Sequence, residues 1–165
     1  TSTRNGDIDL YSMNLDGSDV KQLTNITGYD GGAYYSYDGT MIVFRASRFD
    51  DPAKLKEYQD LLAQGLIRPG MLEIFVMNAD GTNIRQVTNN GAANFGPYFL
   101  PDNKRIVYCS NQADPKGRNF DLFLINSDGT GNEQITFNDT FDGFPMFSLH
   151  DGGKKFVFCS NRFNA

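Results

Sequence analysis

Histidine occurs once in this chain, at position 150, and cysteine twice. A lone histidine with no Gly-x-Ser-x-Gly elbow leaves no base beside a nucleophile, so a hydrolytic triad has nothing to stand on. No cluster of histidines has metal-ligand spacing, and Cys109 and Cys159 lack it too, so no metal and no cofactor is expected. The Gly-rich phosphate loop of nucleotide-binding proteins is absent. No apolar run approaches the length of a membrane span, and no basic-then-apolar start resembles a signal peptide. The chain does not begin with Met, which reads as a mature form or an interior piece. Basic excess is missing as well: the net charge is −5 at pH 7. That disfavours binding to nucleic acid or to an anionic membrane, both of which need basic patches.

What the chain has is repetition. Leu10-Tyr-Ser-Met-Asn-Leu-Asp-Gly-Ser, Ile74-Phe-Val-Met-Asn-Ala-Asp-Gly-Thr and Leu122-Phe-Leu-Ile-Asn-Ser-Asp-Gly-Thr are three versions of one segment. Each leads to Gln-x-Thr, at Gln22–Thr24, Gln86–Thr88 and Gln134–Thr136. A second segment alternates with it, at residues 33–44, 97–108 and 145–158, each a strand, a tight turn and a strand. Asp-Gly or Asp-Asn supplies turn residues that tolerate positive φ. Gly (17), Tyr (8) and Phe (14) are plentiful, as in all-β domains with glycine turns and aromatic strands.

The unit is therefore four antiparallel strands. Strand A is expected near 33–37, 97–100 and 145–149; B near 41–46, 105–109 and 155–159; C near 8–14, 72–78 and 121–126; D near 20–24, 84–88 and 133–136. Four short strands in about 40–50 residues are the arithmetic of a β-propeller blade. The expected organisation is one partial, all-β propeller: strands C and D of a first blade in 1–32, a blade with an insertion in 33–90, a blade in 91–139, and strands A and B of a last blade in 140–165. The insertion reads as a helix near 51–64. Asp51-Pro52 starts it, Leu55, Tyr58, Leu61 and Leu62 form its apolar stripe, Gly65 stops it and Pro69 prevents its resumption. Three blade-equivalents cannot close a ring, so either the chain belongs to a longer propeller of six or seven blades or two copies join end to end as a six-bladed homodimer. The cysteines fill the same slot of successive units, too far apart for a disulfide, and are expected to be free and buried.

Tyr37-Asp-Gly-Thr-Met-Ile-Val-Phe, then Ile74-Phe-Val-Met-Asn-Ala-Asp-Gly-Thr and Gln-Val-Thr, resemble the TolB-type (WD-repeat-like) β-propeller repeat over nearly the whole chain apart from the helix. Departures fall in the Ser-Pro-Asp-Gly turn, where Tyr37 stands in the first copy and Leu149-His150 in the third. The resemblance implies a non-catalytic scaffold binding a protein or peptide in the bacterial periplasm or on the outer surface. The alternative it allows is the accessory propeller of a prolyl-oligopeptidase-like or other hydrolase whose catalytic domain lies elsewhere. A carbohydrate-acting propeller would need His and carboxylate ligands near the axis, which these repeats do not supply.

In propellers of this strand order the D–A and B–C loops emerge on one face. Arg4, Arg48, Gln112 and Arg162 end B strands, and Asp9, Glu73 and Asp121 begin C strands. Asp30, Asn94 and Asp142 mark D–A corners, with Tyr29, Phe95 and Phe141 beside them. One reading makes the corner groups caps that pair with arginines of a neighbouring blade. The other makes this mouth a polar, aromatic-edged funnel for a peptide, protein loop or glycan. The Asn-x-Asp-Gly turns (Asn14/Asp16, Asn78/Asp80, Asn126/Asp128) offer too few oxygens for calcium and read as hairpins.

Overall fold

The computed structural model describes residues 1–68, 70–114, 117–148 and 150–162. Pro69 and Leu149, to which the sequence assigned a helix stop and a turn variant, lie outside them. Among the described residues, twelve strands form four antiparallel sheets. The first holds β1 (Tyr11–Ser12) and β2 (Lys21–Gln22). The second holds β3 (Asp30–Tyr35), β4 (Met41–Ala46), β5 (Glu73–Asn78) and β6 (Arg85–Gln86). The third holds β7 (Asn94–Phe99), β8 (Arg105–Ser110), β9 (Asp121–Asn126) and β10 (Glu133–Gln134). The fourth is β11 (Asp142–Phe147) with β12 (Phe156–Ser160). Within each sheet, strands follow chain order.

The sheets stack face to face, and the period-2 alternation of their strands decides which residues meet. Ile42, Phe44 and Ala46 point one way and pack with Leu10, Phe75 and Met77 between the first and second sheets. Val43, on the opposite face of β4, joins Ile74, Val76, Phe99, Ile106 and Tyr108 between the second and third. Val43, Val107 and Val157 thus belong to three separate sheets, which excludes a single continuous sheet. The innermost strands lie side by side: the Tyr34 and Tyr98 rings are 5.1 Å apart, and those of Tyr98 and Phe147 6.5 Å. Their turns converge so far that the Tyr37 hydroxyl donates to the Ser148 carbonyl at 2.7 Å, reaching from the second sheet to the fourth. Radial sheets around a common axis are β-propeller blades, two of them four-stranded here.

Strands β3, β7 and β11 begin three residues earlier than the sequence indicated. Asp30, Asn94 and Asp142 read as corner residues, but each opens a strand that runs on through a β-bulge, where register shifts between Gly31 and Tyr34, Phe95 and Tyr98, and Gly143 and Met146. A bulge accepts a positive φ and a residue without an N–H, so glycine and proline do not end the strand. The bulged positions are Gly32 (φ 61°), Gly96 (54°) and Phe144 (54°).

Between β4 and β5 runs α1 (Pro52–Leu62), capped by the Asp51 carboxylate, which accepts from the Ala53 N–H at 2.8 Å. Its apolar stripe is only half-buried; Tyr58 alone is fully buried, stacked 5.2 Å from Phe49 and donating to Asp7 at 2.5 Å. The cysteines part company: Cys109 is buried, whereas Cys159 is exposed. The reason is positional, since no further sheet stacks on β12 among the described residues, and Val157 beside it is 71% exposed.

Each Asn-x-Asp-Gly turn is closed by its own side chains. Asp16, Asp80 and Asp128 accept both the N–H and the hydroxyl of Ser18, Thr82 and Thr130. These bonds hold all three carboxyls below the usual carboxylate range. Gly17, Gly81 and Gly129 share φ values of 84–88°, but a Cβ on Gly81 or Gly129 would lie 2.9 Å from a backbone oxygen of the preceding blade, at Leu23 or Val87, while one on Gly17 would meet nothing within 4 Å. Alanine at Gly17 should therefore cost about 1 kcal/mol for the left-handed backbone alone. Alanine at Gly81 or Gly129 should cost about 2–4 kcal/mol, since the blades must also move apart. Urea titration of the three variants checks this, and equal losses would show that close approach of blades does not constrain these turns.

Candidate functional site

One end of every sheet carries a row of polar residues. Antiparallel register sets Asp30 opposite Ala46 and Ala46 opposite Glu73, then Asn94 opposite Ser110 and Ser110 opposite Asp121, then Asp142 opposite Ser160. Ser2 faces Asp9 in the same way. His150 lies in the β11–β12 turn, at the far end of its sheet, and is exposed.

A repeated clasp ties strand D to strand C within each blade at this end, and the following blade docks on it. The carboxylate that begins each C strand (Asp9, Glu73, Asp121) accepts from the hydroxyl of Thr24, Thr88 or Thr136. That same threonine oxygen accepts the N–H of the next C-strand residue, Leu10, Ile74 or Leu122. The glutamine two positions before each threonine donates to its carbonyl at 2.7–2.8 Å. The following blade docks by an N–H of its innermost strand: Asp30 to the Ile8 carbonyl, Asn94 to Leu72 and Asp142 to Phe120, at 2.8–3.2 Å. This is the physical content of the Gln-x-Thr repeat, whose role the sequence did not disclose.

Asp30, Asn94 and Asp142 are wholly buried against those acceptors. An amide can answer them, and Asn94 Nδ2 donates to the Leu72 carbonyl at 2.8 Å and to Glu73 at 3.2 Å. A carboxylate cannot, so one oxygen of Asp30 and one of Asp142 are left without a hydrogen bond. The other oxygen is held by a guanidinium: Arg48 on Asp30 at 2.7 Å, and Arg162 on Asp142. Where the buried group is neutral Asn94, the cation is replaced by Gln112, and Asn90 bridges the two, donating to Gln112 at 2.9 Å. Aspartate thus goes with arginine and asparagine with glutamine. The pairs form within one sheet rather than between blades, contrary to the sequence reading, because the A–B register already sets the end of one strand against the start of the other. Burial dominates the Asp30 carboxyl and pushes it up to about 6, against the pull of Arg48 and with a push from Asp9. Arg4 is the candidate the structure leaves apart; its Nε donates to Ser2 at 3.1 Å and its guanidinium lies 4.7 Å over Tyr11.

The aromatics of the mouth form a continuous track. Phe95, Phe120, Phe141 and Phe144 follow one another at 5.7–5.9 Å. Arg45 links Phe95 to Tyr29, its guanidinium 4.8 Å from one ring centroid and 5.6 Å from the other. Tyr29 and Phe141 fold back over glycines: a Cβ on Gly31 would lie 2.3 Å from the Tyr29 hydroxyl, and one on Gly143 2.5 Å from the Phe141 ring. Arg45, Phe120 and Phe144 escaped the sequence reading. The missed signal was slot equivalence, since Arg45 occupies in β4 the place of Cys109 in β8 and Cys159 in β12.

Beside the track, α1 and the segment after it wall a cleft of about 540 Å³. Tyr29, Phe49, Tyr58, Leu61, Ile67, Met71 and Leu72 supply its apolar lining, and Arg48 stands at its floor with Lys54 and the Glu57–Arg68 pair on the rim. Its size and mainly apolar character are those of a binding pocket.

This geometry defines a β-propeller with one elaborated mouth. The chain is 28% identical over 154 residues to the Tol-Pal system protein TolB of Nitratidesulfovibrio vulgaris, covering 93% of this chain and 29% of that protein. It is 27% identical over 106 residues to an uncharacterized protein of Agrobacterium fabrum, covering 64% of this chain and 29% of that protein. The chain thus spans under a third of the length of these relatives. No family model matches. Among solved structures, the fold is shared with a putative TolB from Agrobacterium tumefaciens (TM-score 0.68, 23% identity, 95% of this chain and 47% of that one) and with TolB from Acinetobacter baumannii (0.64, 20%, 91% and 31%). It is shared also with a puromycin-hydrolyzing peptidase of Mycobacterium tuberculosis (0.55, 13%, 84% and 20%).

The Asp30–Arg48 pair makes a pH-dependent prediction. A carboxyl whose pKa is raised on folding contributes stability below its ordinary range, and that contribution is lost as pH rises through about 6. Arg48→Gln should cost about 3 kcal/mol at pH 7, where it strands a buried carboxylate, and less at pH 5, where Asp30 takes up a proton. Asp30→Asn with Arg48→Gln puts a neutral amide and a glutamine where Asn94 and Gln112 stand in the next blade, with Ile26 in the place of the bridging Asn90, and should recover most of the loss at pH 7. Denaturant titrations at both pH values test this; a double variant no better than Arg48→Gln alone would refute the neutral-pair account.

Proposed function

We propose that this chain is part of a TolB-type β-propeller acting as a non-catalytic scaffold for a protein or peptide in the bacterial cell envelope, periplasmic or outer-surface. The observation that carries this reading is the division of labour at the mouth. The buried polar groups there recur in kind from blade to blade and hold strands together, whereas the aromatic track and the adjoining cleft offer contact surface around them. Arg48, Gln112, Arg162, Asp30, Asn94 and Asp142 then serve as the rigid frame, Tyr29, Phe95 and Phe141 as contact groups, and Arg4 as a peripheral cation. Rigid sheets presenting preformed loops bind with little ordering cost. The inserted helix widens that surface. No helix among the described residues is long and apolar enough to cross a membrane.

The ring would be completed either by further blades of a longer chain or by a second copy, with β12 of one copy beside β1 of the other. A solution mass of twice 18.4 kDa would support the second arrangement. The peptidase likeness favours one rival, a propeller that gates substrate for a catalytic domain elsewhere. A parent gene running on into an α/β-hydrolase with a nucleophile elbow would establish that rival; one running on only into further blades would exclude it.

Peptides selected from a random displayed library on the immobilised protein should bind at this mouth. Met71→Asp in the cleft and Phe141→Ser on the track should each weaken them at least tenfold, by fluorescence anisotropy, with unchanged urea midpoints for Met71→Asp. Selected peptides indifferent to both changes would place binding elsewhere and overturn the reading.

A further inference from the structure

Arg45 is the anomaly of the mouth. Its slot faces the next blade at the polar end of the sheet, and in β8 the same slot holds Cys109, whose thiol donates to the Phe95 carbonyl at 3.3 Å. A thiol fills such a slot as a small apolar group. A guanidinium brings a full charge and five donors. Arginines in buried positions are ordinarily matched by carboxylates, as Arg48 and Arg162 are here. Arg45 has no carboxylate within salt-bridge distance among the described residues. Its one hydrogen bond is from Nη2 to the Tyr29 hydroxyl at 3.2 Å. Nε is buried and has no hydrogen-bond partner among the described residues. It lies next to the space that Gly32's missing side chain leaves: a Cβ on Gly32 would sit 3.3 Å from it.

An unmatched buried donor of this kind is costly, and more so when charged. The surroundings do not remove that cost but do fix the guanidinium in place. Tyr29 lies against it from its own blade and Phe95 from the next, and stacking on ring faces holds a cation without using its N–H groups. The outcome is a pre-positioned, half-buried guanidinium with free donors, set into an aromatic track at the mouth of an acidic protein.

We propose that Arg45 is the recognition centre for a carboxylate on the peptide that the mouth binds, an acidic side chain flanked by aromatic or aliphatic residues. This deepens the function proposed above and rests on it. A guanidinium fork matches a carboxylate by charge and by geometry. The rings on either side supply the apolar contact that the neighbouring residues of such a peptide need. A single shielded cation on a chain of net charge −5 suits one carboxylate rather than a polyanion, which the overall field repels.

The test takes a peptide from the selection above and its counterpart with each acidic residue changed to the matching amide, both fluorescein-labelled. The acidic form should bind at least tenfold more tightly at low salt, with the advantage shrinking several-fold between 50 and 300 mM NaCl. Arg45→Cys installs the residue that the fold itself uses in this slot, so folding should survive, as its urea midpoint will report. In this variant the two peptides should bind equally. As a second readout, the side-chain NMR signal of Arg45 Nε–H should shift with the acidic peptide and not with the amide. Arg85→Gln, on the outermost strand and away from the mouth, should change nothing. Acidic and amide peptides that bind the parent equally, or a preference that persists in Arg45→Cys, overturn the carboxylate assignment while leaving peptide binding intact. Peptides that no mouth substitution affects overturn the parent reading as well.

Discussion

Each blade ties its strand D to its strand C through a threonine hydroxyl, and the next blade docks on that joint by a backbone N–H. Thr24, Thr88 and Thr136 each place one oxygen where a C-strand N–H must be satisfied and a C-strand carboxylate must be solvated. Everything at the mouth follows from that requirement. The strand starting the next blade has to enter beside a carboxylate and a backbone carbonyl, both acceptors. Its first side chain must therefore donate, as Asn94 does, or carry a cation with it, as Asp30 and Asp142 do. The choice between an amide and an ion pair at these positions is a choice between two ways of satisfying the same acceptors.

The same arrangement explains why so many charged residues at this end are poor candidates for chemistry. Asp9, Glu73 and Asp121 are engaged by threonine, and Asp30 and Asp142 by arginine in their own sheets. A raised carboxyl pKa does not by itself mark a functional site, because structural ion-pair networks perturb pKa values too. At Asp30 burial is the largest cause. What the clasp leaves over is surface: a line of rings from Tyr29 to Phe144, a cleft under α1, and one guanidinium that the clasp does not use. That guanidinium differs from Arg48 in its slot rather than its chemistry. Arg48 follows its strand and reaches the opposite carboxylate, whereas Arg45 lies inside the strand and points between blades.

Much of the architecture was legible in the chain itself. Three copies of Asn-x-Asp-Gly followed by Gln-x-Thr set the hairpins, and the apolar runs in Met41–Ala46 and Arg105–Ser110 marked strands of the sheets. Asp51, Pro52 and Gly65 marked the helix to within two residues of its observed ends. The innermost strands were placed late because Asp30, Asn94 and Asp142 read as corner residues and the positions just after them, Gly32, Gly96 and Phe144, interrupt the strand pattern in one dimension. They are bulge residues in three, since only the partner strand reveals that register is merely shifted. The buried state foreseen for both cysteines held only at Cys109, because burial belongs to the neighbour that covers a residue and not to the residue.

The sequence by itself therefore determined what one blade is, for that information is local: turn residues with positive φ, period-2 strands, a capped helix. Tertiary structure alone decided who faces whom at the mouth. The register of its partner strand gives Asp30 an arginine of its own blade, whereas whether Arg45 finds a carboxylate, and whether Phe95, Phe120 and Phe141 form one track, depend on the rotation between stacked sheets. That rotation is set by contacts between residues far apart in the chain, such as Gly81 against Leu23 and Tyr37 against Ser148, and no repeat read one copy at a time contains it.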